Sequence, residues 1–151
     1  MKVVYKENLL LESDEIKIIY NPKNELVVNE VIRYLQSALN TLHCYDDNEK
    51  CFAEVPLLSI YYIEIIDHRI YAYTKSQEFR VCCQKLTDIK HEDPFSCFRQ
   101  TNATTLVNMS HVIGVRVLEG ARRQLFLDND EKLIVTRRFK DNVEYYVEKY
   151  K

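Results

Sequence analysis

Glycine is the residue type that most restricts this chain, since it occurs only at Gly114 and Gly120. Loops that cradle phosphate groups need several closely spaced glycines, because only glycine lets the backbone make the turns and approach the ligand closely. The chain contains neither GxGxxG nor GxxxxGK[ST], and it also lacks GxSxG and HExxH. Enzymes built on these motifs are therefore excluded.

The composition predicts a folded protein with a substantial core. Of the 151 residues, 46% are hydrophobic and 29% are charged, which rules out low-complexity disorder. No apolar run approaches the roughly 20 residues that cross a bilayer, and the first ten residues lack the apolar core of a signal peptide. We therefore expect a cytoplasmic protein with one domain, or with a small domain and an appendage.

The cysteines and histidines do not form a recognisable chemical site. The five cysteines contain no CxxC pair, which a structural zinc site usually needs, and their odd number favours reduced thiols packed as small hydrophobic groups. The four histidines are scattered, and no set of nucleophile, base and orienting group is visible. We expect no catalytic residue, no metal site, no cofactor and no small-molecule substrate, so the protein is not predicted to be an enzyme.

The first 42 residues are predicted to form a small N-terminal β-β-α unit. Residues 3–5 and 16–20 are rich in β-branched and aromatic side chains, which favours two short strands. Apolar residues then recur at helical spacing over residues 24–40. Because this helix would carry one apolar stripe, we expect the unit to mediate dimerisation or contact with a regulatory partner.

Residues 43–151 are predicted to be mainly β-structure. Short strands are expected over residues 51–55, 59–66, 70–74, 78–83, 111–119, 124–127 and 132–136, with a tight turn at 67–69. A short helix is expected over 85–91 and a C-terminal helix from Phe139 onward. The polar stretch 99–105 is predicted to be a loop or a turn of helix with many hydrogen-bond donors.

The charges are unevenly distributed along the chain. With 21 basic and 23 acidic residues the net charge is −2, which as a whole argues against a nucleic-acid-binding protein. Residues 111–140, however, carry seven basic and four acidic side chains, a local excess of +3. A neutral domain can bind an anion where arginines gather at one edge. The alternative is that these charges lie on solvated strand faces.

Four segments, in order and with sensible gaps, resemble the LytTR DNA-binding domain of bacterial transcription regulators. They are Ile-Tyr-Tyr-Ile-Glu at 60–64, Phe-Arg-Gln-Thr-Asn-Ala-Thr-Thr-Leu-Val-Asn at 98–108, His-Val-Ile at 111–113, and Leu-Ile-Val-Thr-Arg-Arg-Phe at 133–139. The resemblance covers about residues 43–151. It departs from the family pattern at Gln100 and Ala103, where the family has cationic side chains, and at Thr104 and Thr136, where it has serine.

The resemblance implies a mainly β fold, an elongated stack of antiparallel β-sheets with short helices, whose loops enter adjacent major grooves of DNA. The resemblance implies DNA contacts at positions of this sequence that match DNA-contacting positions of the family, and we add residues adjacent to them. The set is His68, Arg69, Gln100, Asn102, Ala103, Thr104, Arg137 and Arg138. Arginine can pair with guanine and asparagine with adenine, each through two hydrogen bonds, and threonine can contact phosphate or a thymine methyl group.

Each of these assignments has a structural alternative. His68 could be a solvated turn residue, the two arginines could be surface salt-bridge partners, and Asn102 could form a turn or cap a helix. Asn108 is more simply explained as a structural residue that fixes the loop through side-chain to backbone hydrogen bonds.

The function implied by the resemblance is sequence-specific binding of double-stranded DNA by a transcription regulator at a promoter with repeated half-sites. Residues 1–42 have no room for a receiver domain, so the chain resembles short regulators of this class, which bind as a homodimer on DNA and are often inhibited by a membrane protein. The alternative is a protein-interaction or decoy module of the same fold, with weak DNA affinity and controlled by a membrane-bound partner, because two cations of the family pattern are missing at Gln100 and Ala103.

Overall fold

The computed structural model describes residue 4, residues 16–83, 85–90 and 97–144, and residue 148. The strand predicted over residues 3–5 therefore lies, apart from Val4, outside the described residues. Residues 16–20 are irregular and all five side chains are exposed, so the second predicted strand is wrong. Propensity alone does not make a strand, because a strand also needs a neighbour for its backbone hydrogen bonds.

The predicted N-terminal helix is confirmed as α1, Glu25–Leu39. A single 3-10 turn, Pro22–Asn24, precedes it, and the side chain of Asn21 accepts a hydrogen bond from the backbone amide of Lys23 at 3.0 Å. Proline suits this first turn because its missing amide hydrogen has no partner there anyway. The helix packs against the 3-10 turn Leu57–Ser59. Among the described residues, no helix has the length and apolar character required to cross a membrane.

A seven-stranded antiparallel sheet forms the larger part of the fold. In space the order is β2-β1-β5-β4-β3-β7-β6. The strands are β1 (Thr41–Asp46), β2 (Cys51–Pro56), β3 (Ile60–Ile66), β4 (Arg69–Thr74), β5 (Glu78–Val81), β6 (Phe98–Asn102) and β7 (Thr105–Asn108). The short helix α2, Leu86–Lys90, follows β5 as predicted.

A second, three-stranded antiparallel sheet follows in the order β10-β9-β8. Its strands are β8 (Val112–Val117), β9 (Arg123–Leu127) and β10 (Lys132–Val135). The chain then enters a 3-10 helix, Arg137–Val143. The predicted C-terminal helix thus begins as a 3-10 helix, and Glu144 and Glu148 are α-helical. Residues 145–147 lie outside the described residues.

Two apolar clusters hold these elements together, and strands β3 and β7 contribute to both. Ile63 and Leu106 are fully buried in the cluster within the large sheet, whereas Tyr61 and Val107 belong to the cluster shared with β9 and β10. Successive side chains of a strand point to opposite faces, so both faces of β3 and β7 are covered. The predicted mainly β fold with stacked antiparallel sheets and short helices is confirmed.

The polar stretch 99–105 is not the predicted loop or turn of helix. It forms most of a β-hairpin, in which β6 and β7 are joined by a turn at Ala103 and Thr104. Thr101 and Thr105 are buried, and their hydroxyls lie 3.5 Å from the Thr105 carbonyl and the Glu64 carboxylate, respectively. Buried polar side chains are tolerated in a strand when they have hydrogen-bond partners. The polar composition of residues 99–105 therefore did not indicate a loop, as had been predicted.

Asn108 has the structural role that was expected of it. Its fully buried side chain donates to the carbonyls of Leu57 and Ile60 and accepts from the backbone amide and hydroxyl of Ser110. The two bonds to Leu57 and Ile60 join the end of β7 to the turn that leads into β3, and the two with Ser110 fix the residues that follow β7.

Candidate nucleic-acid interface

The first candidate segment is the turn between β3 and β4. Asp67 and His68 have φ angles of 49° and 64° and are flanked by the paired residues Ile66 and Arg69. Two successive left-handed residues are typical of a two-residue hairpin turn that matches the twist of the strands. The turn leaves His68 and Arg69 exposed, as the predicted tight turn requires.

The second segment is the turn between β6 and β7. The side-chain oxygen of Asn102 accepts hydrogen bonds from the backbone amide of Thr104 at 2.8 Å and from its hydroxyl at 3.0 Å. This is the local bonding by which asparagine stabilises a turn. Both lone pairs of the oxygen are therefore occupied, so adenine pairing through oxygen and nitrogen together would compete with the turn.

The third segment is the start of the 3-10 helix after β10. The backbone amide of Thr136 donates to the carbonyl of Thr101 at 2.9 Å. Farther along the helix, the side-chain amide of Asn142 donates to the carbonyl of Gln100 at 2.9 Å. These bonds hold the segment that carries Arg137 and Arg138 against β6.

One further backbone bond completes the arrangement. The amide of Ile65, near the end of β3, donates to the carbonyl of Thr104 at 2.9 Å. The β6–β7 turn is thus connected on one side to the β3–β4 hairpin and on the other to the 3-10 helix. All three segments with predicted DNA-binding residues are brought to the same end of the large sheet.

Arginine side chains at this end are available to an anion. Arg69, Arg137 and Arg138 are exposed, and within the part of the chain that the structure describes none of them forms an ion pair. The guanidinium of Arg138 lies 5.4 Å from the ring centre of Phe139. The alternative reading of these arginines as salt-bridge partners therefore receives no support from the described contacts.

A groove of about 500 Å³ opens beside the two hairpin turns. His68, Gln100 and Ala103, all predicted site residues, line it together with Lys85, Leu86 and Thr87. Sequence reasoning did not select Lys85 or Thr87, because they belong to a short helical segment outside the motifs. The only available signal was their residue type, a cation and a hydroxyl.

The other chemical groups do not suggest a second site. Burial raises the pKa of the Cys44 thiol to about 12, which keeps it protonated and unreactive. Cys44 and Cys97 are buried, as predicted for thiols used as small hydrophobic groups, whereas Cys51 and Cys82 are exposed. The described residues contain no group of three or more His, Cys, Asp or Glu side chains that could hold a metal ion.

Comparison with known proteins identifies the family. The model of the LytTr DNA-binding domain matches residues 50–147, and the chain therefore belongs to the LytTR family. Among solved structures, a LytTr DNA-binding domain from Bacillus cereus is similar, with a TM-score of 0.61 and 16% sequence identity over 72% of this chain and 95% of that one. No curated protein matches the sequence significantly. Membership of this family supports a DNA-binding regulator and fits a protein that is not an enzyme.

Proposed function

We propose that this chain is a sequence-specific transcription regulator that inserts two hairpin turns and the start of a 3-10 helix into adjacent major grooves of promoter DNA. The observation that carries the proposal is the joining of the three candidate segments by the bonds from Ile65 to Thr104 and from Thr136 to Thr101, both 2.9 Å. A preorganised set of turns binds without first ordering flexible loops, which lowers the entropic cost of association.

Each segment has a distinct chemical part in this proposal. Arg138, with Arg137 beside it, reads guanine through its forked donors, and His68 reads a base edge from the β3–β4 turn. Because the oxygen of Asn102 is used in its turn, its amide nitrogen donates to the base. The hydroxyl of Thr104 already donates to Asn102, which leaves the threonine methyl group for contact with a thymine methyl.

The net charge of −2 requires that affinity comes from local cations. Exposed Arg69, Arg137 and Arg138 supply them at one end of the molecule. Two protomers on repeated half-sites would double this contribution. We propose that such a homodimer assembles on DNA in the cytoplasm.

The boundary between a regulatory unit, 1–42, and the DNA-binding domain, 43–151, is part of the same proposal. Exposed apolar side chains on or beside α1, including Ile19 at 86%, Leu26 at 79% and Leu39 at 72% exposure, support a contact surface there. The partner would be the second protomer or a membrane-protein inhibitor. Sedimentation of full-length Leu26→Glu and Leu39→Glu variants, with and without DNA, tests the first choice: an unchanged oligomeric state on DNA rejects it.

The DNA-binding proposal is tested by fluorescence anisotropy. Duplex from upstream of the protein's own operon is titrated at several salt concentrations beside a shuffled duplex. We expect tighter binding to the first duplex and a steep, linear fall of log affinity with log salt, because each neutralised phosphate releases condensed counterions.

A second candidate is a protein-interaction or decoy module of the same fold. It is favoured by Gln100 and Ala103, which line the groove where the family pattern carries cations. Weak and equal binding to both duplexes, repeated with promoter fragments from across the genome, would reject the regulator and favour this module under the control of a membrane-bound partner.

A further inference from the structure

The groove beside the hairpin turns is shared by two parts of the chain that are distant in sequence. Gln100 and Ala103 reach it from the β6–β7 hairpin, and Lys85 and Thr87 reach it from the α2 segment. His68, from the β3–β4 turn, also lines it. A duplex that contacts His68 and Ala103 would therefore pass beside Lys85 and Thr87.

The backbone of Lys85 is held in place while its side chain stays exposed. Its amide donates to the carboxylate of Asp88 at 3.0 Å, and its carbonyl accepts from the amide of Asp88 at 3.1 Å. The carboxylate of Asp88 is thus engaged with backbone, and among the described residues the Lys85 ammonium has no ion-pair partner. A lysine in this state is ready to neutralise a phosphate.

The groove also lacks positive charges that the family pattern has, and Lys85 can supply one. The family pattern carries cationic side chains at the positions of Gln100 and Ala103, and this chain has none at either. Among the described residues that line the groove, Lys85 is the one lysine or arginine. An ammonium acts as a point charge and does not require one fixed geometry, so it can act from a different element of the fold.

We propose, on the basis of the proposed function, that Lys85 and Thr87 contact the DNA backbone in this groove, and that Lys85 replaces the cations missing at Gln100 and Ala103. Lys85 neutralises a phosphate, and the exposed hydroxyl of Thr87 donates a hydrogen bond to the same strand. Neither side chain reads a base, so both position the duplex without selecting its sequence.

The test is a salt titration of the full-length Lys85→Gln variant on the operon duplex and on the shuffled duplex. We expect the slope of log affinity against log salt to become shallower by about 0.9, the value for one phosphate contact. At 0.15 M salt this corresponds to about fivefold weaker binding, equally on both duplexes. Thr87→Val should weaken binding to both duplexes without changing the slope. An unchanged slope and affinity in Lys85→Gln would overturn the proposal.

Lys75 provides a matched control. It is an exposed lysine just after β4, at the opposite end of that strand from the His68 turn. The six residues of β4 separate the two ends by roughly 20 Å. Lys75→Gln removes the same charge and should leave the slope unchanged. If Lys75→Gln loses as much DNA affinity as Lys85→Gln, the effect comes only from the change in net charge, and the proposal is overturned.

Restoring the family charge tests the replacement directly. In the Lys85→Gln background, Ala103→Lys should return the slope to the wild-type value, since it places an ammonium in the same groove. Failure of this rescue, with the thermal stability of both variants unchanged, would reject the claim of replacement.

The outcomes also separate this proposal from the proposed function. In one outcome, wild-type protein discriminates between the duplexes, Arg138→Ala discriminates less, and Lys85→Gln behaves as wild type. This outcome rejects only the contact at Lys85. If wild-type protein shows neither discrimination nor salt dependence, both proposals fail.

Discussion

The backbone amide of Thr136 donates to the carbonyl of Thr101 across a distance of 2.9 Å, and this bond joins the small sheet to the edge strand of the large one. Thr101 is fully buried, so water does not compete for its carbonyl and the bond is strengthened by its low-dielectric surroundings. The next two residues along the chain are Arg137 and Arg138. Their distance from Asn102 is therefore set by a contact between sheets.

Replacing Thr136 by proline tests this contact. The φ angle of Thr136 is −72°, which proline adopts without strain, but the amide hydrogen and the hydroxyl that face Thr101 are both lost. We expect the free energy of unfolding to fall by about 1–3 kcal/mol, the cost of an unsatisfied buried acceptor, and DNA affinity to fall with it. Denaturant unfolding and anisotropy measure the two effects.

The control for that variant is Thr136→Val. It keeps the amide bond and removes only the hydroxyl, which lies at the long distance of 3.5 Å from the Thr101 carbonyl. Stability and affinity should both remain close to the wild-type values. DNA binding by the proline variant at full strength would contradict the positioning role of the bond.

Arg138→Ala is expected to weaken binding to the cognate duplex by about 1–3 kcal/mol more than binding to the shuffled duplex, because a forked guanidinium contact to guanine is specific. Arg33→Ala is the matched control, since Arg33 is an exposed arginine on α1. Equal losses from the two substitutions would argue against a base contact by Arg138. Anisotropy with both duplexes gives the comparison.

The Asn102→Asp variant distinguishes two roles of Asn102, stabilising the turn and contacting a base. A carboxylate can still accept the two hydrogen bonds from Thr104, so the melting temperature should stay close to that of the wild type. The donor nitrogen is lost, however, and the preference for the cognate over the shuffled duplex should decrease, with the remainder supplied by Arg138 and His68. If the preference is the same as that of the wild type, Asn102 serves the turn alone.

Asn108→Ala is expected to destabilise the fold. The variant leaves the carbonyls of Leu57 and Ile60 and the amide of Ser110 without their present partner. The Leu57 carbonyl keeps the amide of Ile60 as a partner and Ser110 is exposed, so the main cost is the buried carbonyl of Ile60. We expect a loss of about 1–3 kcal/mol in unfolding free energy. Asn108→Asp should also be destabilising, because a carboxylate cannot donate to the two carbonyls.

Asp46 should contribute to the loss of stability in acid. The backbone amide of Glu49 lowers the pKa of this carboxyl, with further hydrogen bonds from the amide of Asn48 and the side chain of Gln77. The pKa of Asp46 is therefore lower in the folded than in the unfolded state, where it is about 3.9. The ionised carboxylate contributes fully to the free energy of unfolding above that pH, and this contribution is lost as the pH falls below it.

The matched variant for this effect is Asp46→Asn, which cannot ionise. Unfolding free energies of wild type and variant, measured between about pH 6 and pH 2.5, should converge as the pH falls. A constant difference over this range would show that ionisation of Asp46 does not stabilise the fold.

Local sequence features predicted much of the secondary structure correctly. The strand predicted over 59–66, the tight turn predicted at 67–69 and the helix predicted over 24–40 all follow from patterns within a few residues. The structure has them at Ile60–Ile66, 67–68 and Glu25–Leu39. The two turn residues need only local backbone geometry, and the helix needs only periodic apolar side chains. The four motifs also sufficed to indicate the family, and they contain six of the eight candidate residues, whereas His68 and Arg69 lie in the turn after the first motif.

Other features depend on contacts between distant parts of the chain. Residues 99–102 became a strand because Thr101 finds partners in Thr105 and Thr136, and residues 16–20 did not become one although their side chains favour it. Lys85 and Thr87 joined Gln100 and Ala103 in one groove only through packing of the α2 segment.

The sequence by itself therefore determined the family, most of the strands and which side chains are candidates for reading DNA. The tertiary structure alone decided that these side chains lie together, because the bonds from Ile65 to Thr104 and from Thr136 to Thr101 connect residues more than thirty positions apart. Local propensity does not encode such pairings. They form when the sheets stack and bury Leu106 on one face and Val107 on the other.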